Sequence, residues 1–118
     1  MENTLGHILH EKGWILADGA IGTQLFNMGL QSVDAPELWN DLQPEKIKKL
    51  YRSSIDAGCD LFLTNSFGSN SCRLKLHNKE REDFRLSKLS AELGREEIEK
   101  EKRKSVSWIY RTNRRNFT

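Results

Sequence analysis

The sequence predicts an α/β fold with a parallel sheet, and two similar segments support that prediction. In residues 14–23 and again in residues 60–68, a short apolar run stops at a polar turn that contains glycine. A helical pattern follows each turn. Strand–loop–helix units that recur along a chain are typical of parallel sheets, and such folds place their chemistry at the carboxyl ends of the strands. We therefore expect an enzyme-like domain.

Glycines delimit the elements in the first part of the chain. Residues 4–12 predict a short helix that ends at Gly13, and the continuous apolar run at residues 14–17 predicts the first strand. A second short helix is expected over residues 24–28, ending at Gly29. This order corresponds to one βα unit with a helix before it.

The later elements are predicted to be a helix, a strand and a long helix. One helical turn at residues 36–39 precedes Pro44, which suits the first position of a helix. An apolar stripe with helical spacing follows that proline: Ile47, Leu50, Tyr51 and Ile55. Residues 60–64 predict the second strand after Gly58, and residues 80–103 predict the long helix.

Composition restricts the class of protein. The 118 residues include 36% hydrophobic and 31% charged residues, and no apolar run is long enough to span a membrane. The N-terminus lacks the basic-then-apolar order of a secretory signal. Cys59 and Cys72 have no metal-site spacing, and we expect both to be reduced thiols in the cytoplasm.

Positive charge is concentrated near the end of the chain. The whole sequence has a net charge of +2. Residues 1–94 contain 11 Lys and Arg against 13 Asp and Glu, whereas residues 95–118 contain 8 against 4. Residues 104–118 combine basic and aromatic side chains with neither helical nor strand spacing, so we interpret them as a separate tail.

Five motifs follow one another in an order that is typical of one enzyme family. They are Asp18-Gly-Ala-Ile-Gly-Thr23, Asp34-Ala-Pro-Glu-Leu-Trp-Asn40, Ala57-Gly-Cys-Asp60, Thr64-Asn-Ser-Phe-Gly68 and Arg73-Leu-Lys-Leu-His77. Together they resemble the N-terminal part of the homocysteine S-methyltransferase family. The second and fifth motifs are more similar to its stand-alone, betaine-type branch than to methionine synthase. The resemblance covers about residues 14–98, so residues 1–103 are interpreted as part of a homocysteine-binding domain.

The resemblance implies a (β/α)8 TIM barrel, of which this chain would hold about two βα units. It also implies homocysteine and a methyl donor, betaine-type or methylfolate, as partners, and methionine as the product. In the family a zinc ion held by cysteines activates the homocysteine thiol. Nothing in this sequence corresponds to those cysteines, so we assign no metal ligand and no catalytic residue. Nucleic acids and membranes are not expected partners.

The resemblance also suggests which residues approach homocysteine. Asp18 and Gly19 follow the first predicted strand, and Thr64 and Asn65 follow the second. Simpler interpretations remain open for the same residues. Asp18 could cap the next helix, and Thr64 and Asn65 could serve only to close their loop by hydrogen bonds.

Two other classes of protein remain open on the residues alone. Gly19 and Gly22 could belong to the phosphate loop of a nucleotide-binding domain, but that fingerprint needs a third glycine and an acidic residue about 20 positions later. A small non-enzymatic protein could instead bind nucleic acid through Trp108, Tyr110 and the basic residues of the tail. Such binding would weaken steeply with added salt.

We interpret the tail as a frameshifted reading of the family's next strand. Codons can be chosen for residues 107–117 so that reading one nucleotide later gives Ala-Gly-Ser-Ile-Gly-Pro-Thr-Gly-Glu-Ile, the glycine-rich end of the family's third strand. The nucleotide sequence of the gene decides this. Two parallel strands without a third would have open edges. We therefore expect the chain alone neither to unfold cooperatively nor to be active.

Overall fold

A computed structural model describes residues 4–104 of the chain, and helices form its secondary structure. Single 3-10 turns at Pro36–Leu38, Lys75–His77 and Glu80–Glu82 join some of these helices. The α-helices of the described residues are α1 (Thr4–Lys12), α2 (Ile21–Asn27), α3 (Trp39–Leu42), α4 (Pro44–Asp56), α5 (Ser71–Leu74) and α6 (Asp83–Lys104). The predicted tail, apart from its first residue, lies outside the described residues.

The predicted helices are confirmed. Their bounds depend on local signals in the sequence, chiefly glycine and proline. The first helix has the predicted bounds, the helix after the connecting segment begins at Pro44, and the long helix begins after a 3-10 turn. Gly13, Gly29 and Gly58 each follow a helix with a positive φ, of +80°, +109° and +88°. Glycine adopts such angles at little cost, which explains why helices end there.

The predicted α/β class, with two βα units of a barrel, is wrong. No strand forms in the part of the chain that the structure describes, and an isolated parallel bridge between Ala17 and Leu61 stands where the two strands were expected. The Asp18 amide donates to the Leu61 carbonyl oxygen at 3.2 Å, and the Leu61 amide donates to the Leu16 carbonyl oxygen at 3.3 Å. The two segments therefore meet, but as a single bridge.

Two carboxylates explain why the pairing stops. A continuing parallel ladder would pair the Leu63 amide with the Asp18 carbonyl oxygen. The Leu63 amide instead donates to Oδ2 of the Asp18 side chain at 3.2 Å. At the other end, the Leu16 amide donates to Oδ2 of Asp60 at 3.0 Å. Because side chains satisfy the amides on either side of the bridge, the backbone pairing does not extend.

The hydrophobic core lies mainly between α4 and α6. The predicted stripe of α4 is buried, and the Tyr51 ring stacks on the Phe62 ring with 5.1 Å between centroids. The core cluster consists of Leu25, Leu30, Trp39, Ile47, Leu50, Tyr51, Ile55, Phe62, Leu93 and Ile98. Around the bridge, in contrast, Trp14 and Leu63 are 56% and 64% exposed. Among residues 4–104, no helix is both long and apolar enough to cross a bilayer.

Candidate functional site

The Ala17–Leu61 bridge brings the two predicted loops together. The Asp18 carboxylate accepts the Leu63 amide at 3.2 Å, so it lies beside the residue that precedes Thr64. Asp18 is half-buried and Gly19 is exposed. Residues 18–19 and 63–66, which are far apart in the sequence, are thus brought close together, and the polar groups that they expose are called the polar surface below.

Thr64 contributes a hydroxyl pair to this surface. Its Oγ1 lies 2.7 Å from the Oγ of Ser66, and both residues are half-buried. Hydroxyl groups of this kind donate as well as accept hydrogen bonds. The pair therefore offers both donors and acceptors to a polar ligand.

Asn65 lies beneath that surface and is 3% exposed. Its side-chain amide donates to the Pro36 carbonyl oxygen at 2.9 Å and to Oδ1 of Asn40 at 3.0 Å. The Asn40 amide in turn donates to the carbonyl oxygens of Asn65 and Leu86, at 3.0 and 3.2 Å. Both N–H bonds of the Asn65 side chain are thus used inside the protein, which corresponds to the loop-closing interpretation. Whether Asn65 also contacts a ligand stays a prediction.

Tyr51 anchors the same loop from α4. Its hydroxyl accepts the Asn65 backbone amide at 2.8 Å and donates to the Ser90 carbonyl oxygen of α6 at 3.2 Å. Burial raises the pKa of Tyr51 above its usual range, and the charge of Asp18 adds to this effect. The phenol is therefore neutral and able to donate at any physiological pH.

The described residues do not fit a zinc site. Among residues 4–104, no three His, Cys, Asp or Glu side chains come together. Cys59 is buried and Cys72 is exposed. Burial, and then the charges of Asp18 and Asp60, raise the pKa of the Cys59 thiol. Because a metal ligand must be a thiolate, this environment disfavours Cys59 as a ligand.

A pocket of about 230 Å³, not predicted from the sequence, lies beside residues 64–68. It is built by three of the quoted motifs, and its lining includes Asp34, Glu37, Phe67, Gly68, Arg73 and His77. Glu37 is the unexpected member, because it is a carboxylate that is only 5% exposed. Its position between the apolar pairs Ala35-Pro36 and Leu38-Trp39 was the available signal.

Comparison with known proteins gives a family and one relative. A family model described as homocysteine S-methyltransferase matches residues 15–111. A methionine synthase of Mycobacterium leprae (strain TN) is 35% identical over 66 residues, which cover 51% of this chain and 6% of that protein. The chain thus corresponds to a small part of the relative's length.

Proposed function

Because the chain belongs to the homocysteine S-methyltransferase family, we propose that Asp18, Gly19, Thr64 and Asn65 form part of a homocysteine-binding site. The enzyme of which this site is part transfers a methyl group to the homocysteine sulfur and forms methionine. The observation that supports the proposal best is the contact between the Asp18 carboxylate and the Leu63 amide. It joins the two loops that carry the four residues.

The chemistry of these groups suits a zwitterionic amino acid. The half-buried carboxylate of Asp18 can accept from an ammonium group, and the Thr64–Ser66 hydroxyl pair can donate to a carboxylate. At Gly19 no atom lies within 4 Å of where a Cβ would stand, so a ligand can approach the backbone there. Asn65 contributes from below by holding the loop.

The proposal gives this chain a role in binding and not in activating the thiol. Methyl transfer forms a carbon–sulfur bond while the bond from the methyl group to the donor breaks, and it requires the thiolate. The described residues provide no metal site to generate that thiolate. Zinc activation and the donor, betaine-type or methylfolate, therefore belong to our expectation for the complete enzyme.

Asp18→Ala is expected to weaken homocysteine binding about 10- to 100-fold, since a hydrogen bond to a charged group contributes about 1.5–3 kcal/mol. Isothermal titration of homocysteine into the 118-residue chain measures this. Glu92→Ala, which removes an exposed carboxylate on α6, is the matched control and should bind as the unmodified chain does. Equal affinities of Asp18→Ala and the control would contradict the proposal.

An enzyme that continues this sequence through the predicted second reading frame is expected to form methionine from homocysteine. Methionine formation is measured with betaine, a methylated sulfonium donor and methylfolate in separate reactions. A chelator should abolish the activity, and added zinc should restore it. If none of the donors yields methionine, the proposed activity is wrong.

The alternative of nucleic-acid binding gains no support from the described residues. It depends on residues 105–118, which lie outside them. The nucleotide-binding alternative depends on Gly19 and Gly22 beginning a phosphate site at the N-terminus of α2. In the structure α2 has only seven residues, and Gly22 lies within it rather than in a loop before it.

A further inference from the structure

Glu37 is a buried carboxylate that the proposed site does not use. It lies in the 3-10 turn Pro36–Leu38, and its Oε1 accepts the Gly68 amide at 2.7 Å. A carboxylate that is only 5% exposed is costly unless its oxygens are hydrogen-bonded. The bond to Gly68 is short for an amide donor. This contact is therefore a specific feature of the turn rather than a solvated surface charge.

The absence of a side chain at Gly68 leaves room for the same contact. A Cβ at this position would lie 2.8 and 2.9 Å from the two carboxylate oxygens of Glu37, closer than side-chain atoms normally approach. Gly68 does not have a positive φ, so backbone conformation does not require glycine here. The requirement is space for the carboxylate.

Three other hydrogen bonds join the same two segments. The side-chain amide of Asn65 donates to the Pro36 carbonyl oxygen at 2.9 Å. Asn40 and Asn65 bond to each other through side chain and backbone, at 3.0 Å in both cases. Residues 36–40 thus hold residues 64–68 near both ends: Asn40 at the beginning and Glu37 at the end.

We propose that Glu37 is a positioning residue for residues 64–68. By accepting the Gly68 amide it fixes the far end of the loop, and this sets where the Thr64 and Ser66 hydroxyls meet a ligand. The inference rests on the proposed function, because Thr64 is one of the proposed contacts with homocysteine. Glu37 itself acts through Gly68, whose amide its Oε1 accepts.

Glu37→Ala and Glu37→Gln separate this role from a general effect on folding. Glu37→Ala should make exchange of the Gly68 amide hydrogen about tenfold faster or more and weaken homocysteine binding by a similar factor, since a buried amide loses its acceptor. Glu37→Gln keeps an acceptor of the same shape and should restore both quantities to within about threefold. Amides of α4 and α6 should exchange as in the unmodified chain. Glu45→Ala, whose side chain is 85% exposed, is the matched control.

A double-mutant cycle tests whether Glu37 and Gly68 act through one contact. Gly68→Ala should weaken homocysteine binding about as much as Glu37→Ala, because the new methyl group displaces the carboxylate. In the Glu37→Ala background, Gly68→Ala should weaken homocysteine binding little further. Residues in direct contact give such non-additive effects, whereas independent residues give additive ones.

Several results would overturn the inference. Unchanged exchange of the Gly68 amide in Glu37→Ala would show that the carboxylate does not hold the loop. Faster exchange with unchanged homocysteine affinity would show that the loop's position does not matter for binding. Additive effects in the cycle would show that the two residues act separately. If the unmodified chain binds no homocysteine, the proposed binding site is wrong, and exchange at Gly68 alone then decides whether Glu37 holds the loop.

Discussion

Arg52→Ala is expected to weaken the contact between α4 and α6 by about 3 kcal/mol, a typical cost of removing one partner from a buried ion pair. The Arg52 guanidinium donates to Oε1 of Glu97 at 3.2 Å, to the Glu97 carbonyl oxygen at 2.7 Å and to Glu101 at 3.0 Å. Glu97 is only 4% exposed, so the substitution removes donors from a carboxylate in a mostly buried position. Lys100 still donates to its other oxygen at 2.8 Å, which limits the loss.

Hydrogen exchange of the α6 amides measures this effect, and a loss of about 3 kcal/mol should speed their exchange about 100-fold. Arg85→Ala is the control, because Arg85 is 49% exposed and its pairs with Glu82 and Asp41 should contribute less than about 1 kcal/mol. The double variant Arg52→Met/Glu97→Leu should recover most of the protection, since apolar residues often replace a buried pair without cost. Unchanged α6 exchange in Arg52→Ala would refute the prediction.

Asn40→Ala is expected to destabilise the loop at residues 64–68 by a similar free energy. Asn40 is 1% exposed and bonds to the Asn65 carbonyl oxygen, the Asn65 side chain and the Leu86 carbonyl oxygen of α6. The substitution leaves three buried polar groups without their partner, at about 1–3 kcal/mol each before relaxation. A net loss of about 3 kcal/mol should follow. Homocysteine binding should weaken as well, because the beginning of the loop is released.

Amide exchange at Asn65 and Ser66 measures that loss, and calorimetric titration measures the affinity. Asn27→Ala removes an exposed amide at the end of α2 and should change neither quantity. Asn40→Asp is a second variant: it keeps one acceptor oxygen for Asn65 but places its other oxygen against the carbonyl oxygens of Asn65 and Leu86. It should destabilise the loop at least as much as Asn40→Ala, since a buried carboxylate without donors is costly. Normal exchange at Asn65 in Asn40→Ala would contradict the argument.

The helices and their ends could be predicted from the sequence because their causes are local. A glycine with positive φ ends α1, α2 and α4, and a proline begins α4. The stripe that predicted α4 is the stripe that enters the core. The family could also be predicted, because its motifs lie in order along the chain, and a family model matches residues 15–111.

The strands were predicted wrongly because a short apolar run can contribute a buried side chain without forming a strand. Phe62 is buried against Tyr51, but Leu63 and Trp14 beside the bridge are exposed, so no second layer from residues 4–104 covers these two side chains. Parallel strands are normally covered by helices on both faces of the sheet. An apolar run in the sequence shows that burial is favourable and does not show that the covering layers are present.

The longer helices, their glycine and proline boundaries and the family's motifs could be recognised in the sequence, since each depends on residues near one another in the chain. The pairing of the polar groups could not be recognised there. Asp18 and Asp60 accept amides that a ladder would have used, Asn65 turns inward to Asn40, and Glu37 meets Gly68. These contacts join residues that are distant in the sequence. Such pairings depend on how the helices pack in three dimensions, which a local pattern does not specify.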